Sequence, residues 1–197
     1  TFNSSINEYD YKGKFNAVFP LKVNQLPNFI HPLVSMGKKY NYGLEAGSKA
    51  ELVIAMTYNN MGSPITINGF KDKEMIHLCF IAKSMGHNIT IIIEGLNELE
   101  MIIEVLKETK MECPNIGLRV RLHSGGSGLW AKSGGINSKF GLTSTEILEA
   151  YELMEDNNLV KYLTMIHFHI GSAMNSIKPL KKALREDQRI INNTVKE

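Results

Sequence analysis

Short apolar runs rich in β-branched residues alternate with longer amphipathic stretches along most of this 197-residue chain. Successive runs recur about every 25 to 35 residues, which is typical of repeated βα units. Six strands are predicted, at residues 17–23, 42–45, 64–68, 89–94, 116–122 and 162–170. The amphipathic stretches predict helices at residues 49–58, 72–85, 97–108, 145–154 and 177–195. Asp72 and Ser144 are the expected N-caps of two of these helices.

Parallel strands joined by crossover helices form either an open doubly wound sheet or a closed barrel. The first predicted strand is not followed by the Gly-x-Gly-x-x-Gly of dinucleotide-binding sheets, which favours the barrel. A full (β/α)8 barrel has eight strands, so we expect about six of the eight βα units, in one incomplete domain covering residues 1–197. The first and sixth strands are then expected to be unpaired edges.

The composition is that of a soluble globular protein, with 43% hydrophobic residues, 21% charged residues and a net charge of +2. Nucleic acid and anionic membranes require a basic excess that this chain lacks, so neither is expected as a partner. No apolar run approaches the roughly 18 residues of a membrane span. Cys79 and Cys113 are far apart without Cys-x-x-Cys spacing, which favours a reducing, cytoplasmic location. The chain starts at Thr1 with neither signal peptide nor methionine, which indicates a processed piece or an excerpt.

Lys22 stands at the end of the first predicted strand, in the run Ala-Val-Phe-Pro-Leu-Lys-Val-Asn at 17–24. Barrel enzymes keep their chemistry at strand ends. An amine that loses contact with water there attacks carbonyl groups, as Schiff-base lysines do, so a desolvated Lys22 is one hypothesis. A surface lysine that closes the strand is the alternative.

Residues two apart on a strand share a face, so Arg119 and Arg121 are predicted to point together. If the apolar residues of that strand pack on helices, both guanidinium groups face the barrel interior and need a phosphate or a carboxylate. The alternative is an edge strand with a solvated basic face. His167 and His169 share a face of the sixth strand in the same way. No third ligand accompanies them, so no metal site is predicted, and each imidazole either stacks on an aromatic ligand or is satisfied inside the barrel.

Further polar groups are expected at the same rim. Glu45 closes the second predicted strand, and Gly171 with Ser172 forms a small turn that exposes backbone N–H groups and a hydroxyl. Amine, arginines, histidines, carboxylate and hydroxyl together suit a phosphorylated aldehyde cofactor. A glycine-rich loop at 123–140, which contains Trp130, is either functional or a flexible surface insertion.

Six sequence blocks resemble the pyridoxal-phosphate enzymes of the alanine-racemase-like barrel class, and the similarity is greatest to the biosynthetic arginine decarboxylases of bacteria and plants. The blocks are Tyr11–Phe15, Val18–Gln25, Gly43–Leu52, Asn68–Glu74, Gly134–Leu142 and His167–Ser172. Nearly all of the chain takes part in the resemblance, and six blocks in the same order are far more specific than any single block. The resemblance implies a pyridoxal-phosphate-binding (β/α)8 barrel of which this chain is a part.

The resemblance also implies roles for individual residues. Lys22 and His169 are the implied catalytic residues, because the lysine would bind pyridoxal 5'-phosphate covalently and the histidine would stack on its ring. Gly171 and Ser172 would help to hold the phosphate, an arginine would lie near the cofactor, and a glutamate would lie close to the lysine. The implied cofactor-binding residues are Lys22, Glu45, Arg119, His169, Gly171 and Ser172.

The reaction implied is decarboxylation of L-arginine to agmatine, which feeds polyamine and spermidine biosynthesis, with Mg²⁺ as a further requirement. One alternative is another decarboxylase or racemase of the class, acting on diaminopimelate, carboxynorspermidine, ornithine or lysine. A non-catalytic regulatory paralogue is the other. The loop around Trp130 favours arginine, and the presence of Lys22 argues against the paralogue.

Several parts that the family has are not found in these residues: a glycine-rich phosphate loop on the seventh strand, an acid on the eighth, and a C-terminal β-domain with a cross-subunit cysteine. We therefore expect the segment alone to fold poorly, to bind the cofactor weakly and to be inactive. The resemblance implies a homo-oligomer for the full-length protein.

Overall fold

A computed structural model describes residues 15–122, 140–171 and 176–194, together with positions 4, 6, 8 and 12. The strands are β1 (Val18–Pro20), β2 (Gly43–Ala46), β3 (Pro64–Ile67), β4 (Asn88–Ile93), β5 (Asn115–Arg119) and β6 (Leu163–His167). The helices are α1 (Pro27–Gly37), α2 (Lys49–Tyr58), α3 (Lys73–Ser84), α4 (Leu96–Thr109), α5 (Ser144–Asp156) and α6 (Lys178–Thr194). Short 3-10 helices lie at Lys38–Tyr40 and Val160–Tyr162.

The six strands form one parallel sheet in the order β1-β2-β3-β4-β5-β6. At least one helix lies between each strand and the next in the chain, as parallel pairing requires. This architecture confirms the predicted α/β fold with about six βα units of a (β/α)8 barrel. In the part of the chain that the structure describes, β1 and β6 are the edges of the sheet, as expected.

The two faces of the sheet differ in polarity, because successive side chains of a strand point to opposite sides. Ile65 and Ile91 are fully buried on the side that packs against the helices. The opposite side, which we call the inner face, carries Thr66 in register with Glu45 and Thr90. The apolar core therefore lies between sheet and helices, and polar side chains occupy the inner face.

The last two strands continue this division. Arg119 of β5 is in register with His167 of β6, so both side chains belong to the inner face. Beyond β5, the Arg121 amide donates to the carbonyl of Leu142 at 2.8 Å, and Val120 forms an isolated parallel bridge with Leu142. The chain thus returns beside the end of β5 just before α5, a pairing that the sequence analysis did not predict.

Helix α1 was also missed, and proline is the reason. Pro27 begins this helix and Pro32 lies inside it, a position where proline is usually unfavourable because it removes a hydrogen bond. Ile30 and Val34 are four residues apart and both are buried. Burial of this apolar stripe outweighs the cost of the proline.

The N-cap predictions had mixed outcomes. Asp72 is the N-cap of α3, as predicted, and its carboxylate accepts a hydrogen bond from the Met75 amide. For α5 the prediction of Ser144 was wrong, because Thr143 is the N-cap. The Thr143 hydroxyl accepts from the Glu146 amide at 3.3 Å, while the Glu146 carboxylate accepts from the Thr143 amide at 2.7 Å. This reciprocal pair fixes the start of the helix one residue earlier.

Most of the predicted strands are too long at their carboxyl ends, so Lys22, Arg121 and His169 lie just beyond the strands to which they were assigned. They remain at the carboxyl ends of the strands, where barrel enzymes carry their active sites. Among the described residues, no helix is both long and apolar enough to cross a membrane.

Candidate active site

Lys22 lies in the turn that follows β1, at the carboxyl edge of the sheet. The preceding residue, Leu21, is fully buried, and its amide donates to the Glu45 carbonyl at 2.9 Å. Lys22 itself is exposed, so the expectation of a desolvated amine is wrong for this structure. The reason is its position two residues beyond the last residue of an edge strand, where the side chain projects from the rim. The amine is therefore anchored by its backbone and accessible to a ligand.

His169 lies beyond β6, where the charges of Lys22 and Arg119 act on its imidazole. The pKa of His169 is lowered, first by partial loss of water around the ring and then by the positive charges of Arg119 and Lys22. Arg119 is in register with His167, two residues before His169, and the charge of Lys22 acts on the same imidazole. Lys22 follows β1, Arg119 is the last residue of β5 and His169 follows β6, so the three positions include both edge strands of the sheet.

Arg119 forms an ion pair with Glu94, the residue that follows β4. Both side chains are largely withdrawn from water, with 13% of Arg119 and 9% of Glu94 exposed. The ring of Phe140 also lies close, with its centroid 5.7 Å from the guanidinium carbon. The prediction that a carboxylate or phosphate must meet this arginine is thus met by a carboxylate of the same chain. Such a pairing fixes the orientation of a planar guanidinium group.

Arg121 lies beyond the end of β5, and a terminal nitrogen of its guanidinium group donates to the Gly141 carbonyl at 3.0 Å. Its Nε is buried and has no partner among the described residues. Gly141 has a positive φ of 93°, which favours glycine, and its backbone lies against the end of β5. Because Arg121 lies two residues beyond the end of β5, the shared face of the two arginines stays a prediction, and of the two only Arg119 forms an ion pair with a carboxylate among the described residues.

His167 is the most strongly perturbed histidine of the described chain. Its pKa is lowered to about 4, chiefly by burial and next by the charge of Arg119, while Glu94 acts in the opposite direction. Its buried Nδ1 has no hydrogen-bond partner among the described residues. A neutral imidazole with a free nitrogen is thus available beside the Arg119–Glu94 pair.

The remaining predicted site residues are found at the same edge. Glu45 is half-buried on β2 and is in register with Pro20, two residues before Lys22. Gly171 has a positive φ of 103°, which is consistent with a tight turn after His169. Ser172 lies outside the described residues, as do Trp130 and the rest of 123–139.

Sequence reasoning did not identify the partner of Arg119, nor a second buried ion pair next to it. Lys71 Nζ lies 3.0 Å from Glu98 Oε1, and both side chains are buried. The other Glu98 oxygen accepts a hydrogen bond from the Glu94 amide at 2.8 Å. The available signal was position: Glu94 directly follows the most apolar strand and lies one strand away from Arg119.

Glu51, the third residue of α2, makes the same kind of contacts as Glu98, the third residue of α4. Glu51 Oε2 accepts from the Gly47 amide at 2.7 Å, and Glu51 Oε1 accepts from the side-chain amide of Gln25 at 3.0 Å. Each glutamate therefore joins the end of its own strand to the loop after the preceding strand. Such links hold the loops of the rim in a fixed relation to one another.

Comparison with known proteins identifies the class to which this fold and site belong. The family model described as "Pyridoxal-dependent decarboxylase, pyridoxal binding domain" matches residues 2–197. An alanine racemase of Clostridium difficile 630 has the same fold over 98% of the chain and 45% of its own, with a TM-score of 0.66 at 17% identity. The chain belongs to the pyridoxal-dependent decarboxylase family, in its pyridoxal-binding domain, and has the alanine-racemase-like barrel fold.

More similar proteins carry a more specific name. A biosynthetic arginine decarboxylase of Bacteroides thetaiotaomicron is 46% identical over 186 residues, 94% of this chain and 29% of that protein. The crystal structure of the biosynthetic arginine decarboxylase of Campylobacter jejuni is 58% identical, with a TM-score of 0.89 over 99% of this chain and 31% of that one. This chain therefore spans less than a third of the length of these relatives.

Proposed function

We propose that this chain is the cofactor-binding part of a pyridoxal-phosphate-dependent enzyme that decarboxylates L-arginine to agmatine. The observation that carries the proposal is the convergence at one rim of an exposed lysine after β1 with an arginine and a histidine from the paired strands β5 and β6, namely Lys22, Arg119 and His169. The similarity to biosynthetic arginine decarboxylases supports the choice of substrate.

The chemistry of the donor set fits pyridoxal phosphate. The exposed amine of Lys22 can bond to an aldehyde, and the positive charges of Lys22 and Arg119 favour an anion. Arg121 has a buried donor without a partner among the described residues, as expected where an anionic ligand is missing its contacts. When bound, the cofactor supplies the electron sink that decarboxylation requires.

Each residue of the rim is assigned a separate task. Lys22 holds the cofactor covalently, and His169 packs its imidazole against the ring. Arg119, oriented by Glu94, faces the cofactor with a fixed positive charge. Glu45 lies close to the lysine on the neighbouring strand.

The phosphate group is assigned to the turn after β6. Gly171 has a positive φ of 103°, as in turns whose backbone amides bind anions, and Ser172 would add its hydroxyl. His167, which lies beside the Arg119–Glu94 pair, is assigned as a neutral neighbour of the cofactor rather than as a direct ligand.

The proposal extends to the complete polypeptide that carries this chain. We propose a homo-oligomer that works in the cytoplasm, in polyamine and spermidine biosynthesis, and that requires Mg²⁺. Among the described residues, no group of three or more His, Cys, Asp or Glu side chains is placed to hold a metal ion.

The test combines cofactor trapping with a substrate comparison on the complete polypeptide. Borohydride reduction followed by peptide mass spectrometry should show a cofactor adduct at Lys22, and carbon dioxide should be released faster from L-arginine than from ornithine, lysine or diaminopimelate. Lys22→Ala should abolish both results. Lys38→Ala is the matched control. Lys38 is also exposed, but it precedes β2 and therefore lies at the amino ends of the strands, away from the rim.

The possible outcomes separate the alternatives. Failure to trap any adduct in the wild type would favour the regulatory paralogue and overturn the proposal. An adduct at Lys22 with faster release from another amino acid would retain the cofactor assignment and replace the substrate.

A further inference from the structure

Lys71 is withdrawn from solvent far more completely than an ordinary lysine. It lies in the loop between β3 and α3, its side chain is 1% exposed, and Nζ also donates to the carbonyl of Gly69. A buried ammonium group is costly unless a carboxylate meets it, and Glu98, whose side chain is 7% exposed, does so at 3.0 Å. Because burying two charges costs desolvation energy, we expect such a pair to position a neighbouring group.

Glu98 connects this lysine to the candidate active site. One carboxylate oxygen meets Lys71, and the other accepts the Glu94 amide at 2.8 Å. The Glu94 carboxylate in turn pairs with Arg119. The four residues form a continuous series of contacts across the ends of β3, β4 and β5, which we call the rim network.

The charges of the rim network balance. Two cations at its ends enclose two buried or nearly buried carboxylates in its centre. If the charge of Lys71 is removed, Glu98 is left without its cation, and Arg119 is the other cation of the network. An unpaired carboxylate would draw the guanidinium group away from its present position or take up a proton.

We propose that Lys71 is a positioning residue for Arg119, acting through Glu98 and the backbone of Glu94 to hold the guanidinium group where the cofactor binds. This inference rests on the proposed function, because it assumes that the ligand facing Arg119 is pyridoxal phosphate. Lys71 does not contact the ligand itself in this assignment. Its charge acts only through the network.

The experiment measures cofactor affinity rather than turnover, by titrating the cofactor-free complete polypeptide with pyridoxal phosphate and following absorbance. Lys71→Met removes the charge and keeps most of the side-chain volume. Loss of an outer partner of a ligand-binding group costs about 10- to 100-fold at metal centres, and we expect at least a roughly tenfold increase in the apparent Kd. Lys73→Met is the matched control. Lys73 is two residues after Lys71, its side chain is 44% exposed, and it forms ion pairs with Glu104 and Glu108.

A double-mutant cycle tests whether the effect passes through Arg119. In an Arg119→Gln background, Lys71→Met should cause no further loss of affinity, because the group that it positions is already gone. A general disturbance of the fold would weaken binding in both backgrounds. Equal, additive losses in the two backgrounds would therefore overturn the proposal.

A neutral pair guards against a variant that fails to fold. Lys71→Met with Glu98→Gln removes both charges and keeps a carbonyl oxygen for the Glu94 amide, and Gln25 with Glu51 shows that the rim accepts a neutral partner at the equivalent place. We expect this variant to recover most of the affinity. An apparent Kd unchanged from the wild type in Lys71→Met would refute the inference while leaving the proposed function intact. A wild type that binds no pyridoxal phosphate would instead refute the proposed function.

Discussion

Acidification provides a direct test of the environment of His167. In the folded chain its pKa is lowered from 6.5 to about 4, chiefly by burial and then by the charge of Arg119. At about 1.4 kcal/mol for each pH unit, this difference corresponds to about 3 kcal/mol of stability. Between these two values the unfolded imidazole binds a proton and the folded imidazole does not. Stability from this residue is therefore lost as the pH falls from 6.5 to about 4, and the loss then levels off.

The assay compares urea unfolding of the complete polypeptide as wild type and as His167→Gln, at several pH values from about 7.5 down to about 4. Carboxylates and other histidines titrate in both proteins, so their contributions cancel in the difference. We expect the wild type to lose about 2 to 3 kcal/mol more than the variant over this interval. His77→Gln measures what removal of an exposed imidazole from α3 does under the same conditions.

A pH-independent difference between wild type and His167→Gln would contradict this reasoning. It would mean that the pKa of His167 is the same in the folded and the unfolded chain, so that attraction to Glu94 offsets burial and the charge of Arg119. The description of His167 as a neutral neighbour of the cofactor site would then be wrong.

Two further predictions concern the packing of the barrel. Gly43→Ala should destabilise the protein by about 3 kcal/mol in urea unfolding, because its Cβ would lie 1.9 Å from the backbone oxygen of Pro64; an unchanged midpoint would contradict the predicted clash. Burial raises the pKa of both Cys79 and Cys113 to about 12, so iodoacetamide near neutral pH should label them only after unfolding. Rapid labelling in the native protein, located by peptide mass spectrometry, would show that these thiols are accessible.

The topology could be predicted from the sequence because it depends on a repeated local pattern. A continuous apolar run such as 89–93 predicts a buried parallel strand without knowledge of its neighbours. A helix between successive strands predicts that they are connected in parallel. The exceptions were decided by contacts. Helix α1 forms in spite of Pro32, and α5 begins one residue earlier than expected because Thr143 and Glu146 cap each other.

The candidate site could likewise be predicted only in part. The alternation of a strand was enough to place Arg119 and His167 on faces that the observed register brings together. The partners of the charged groups were not predictable, because Glu94 and Arg119 are 25 residues apart and meet only when β4 and β5 pair in their observed register. The buried state of Lys71 likewise depends on a glutamate from the next βα unit.

Curvature of the sheet links the fold to the proposed chemistry. Lys22 follows β1 and His169 follows β6, the two edges of the described sheet, yet the charge of Lys22 lowers the pKa of His169. Five intervals of about 4.8 Å would separate the edge strands of a flat sheet by about 24 Å. Screening by salt weakens interactions between exposed charges beyond about 10 Å, so a flat sheet would not couple these two residues. The strands follow one another in the order β1 to β6, without the reordering of doubly wound sheets, which favours the barrel, and a sheet that curls toward closure brings the amine and the imidazole to one site.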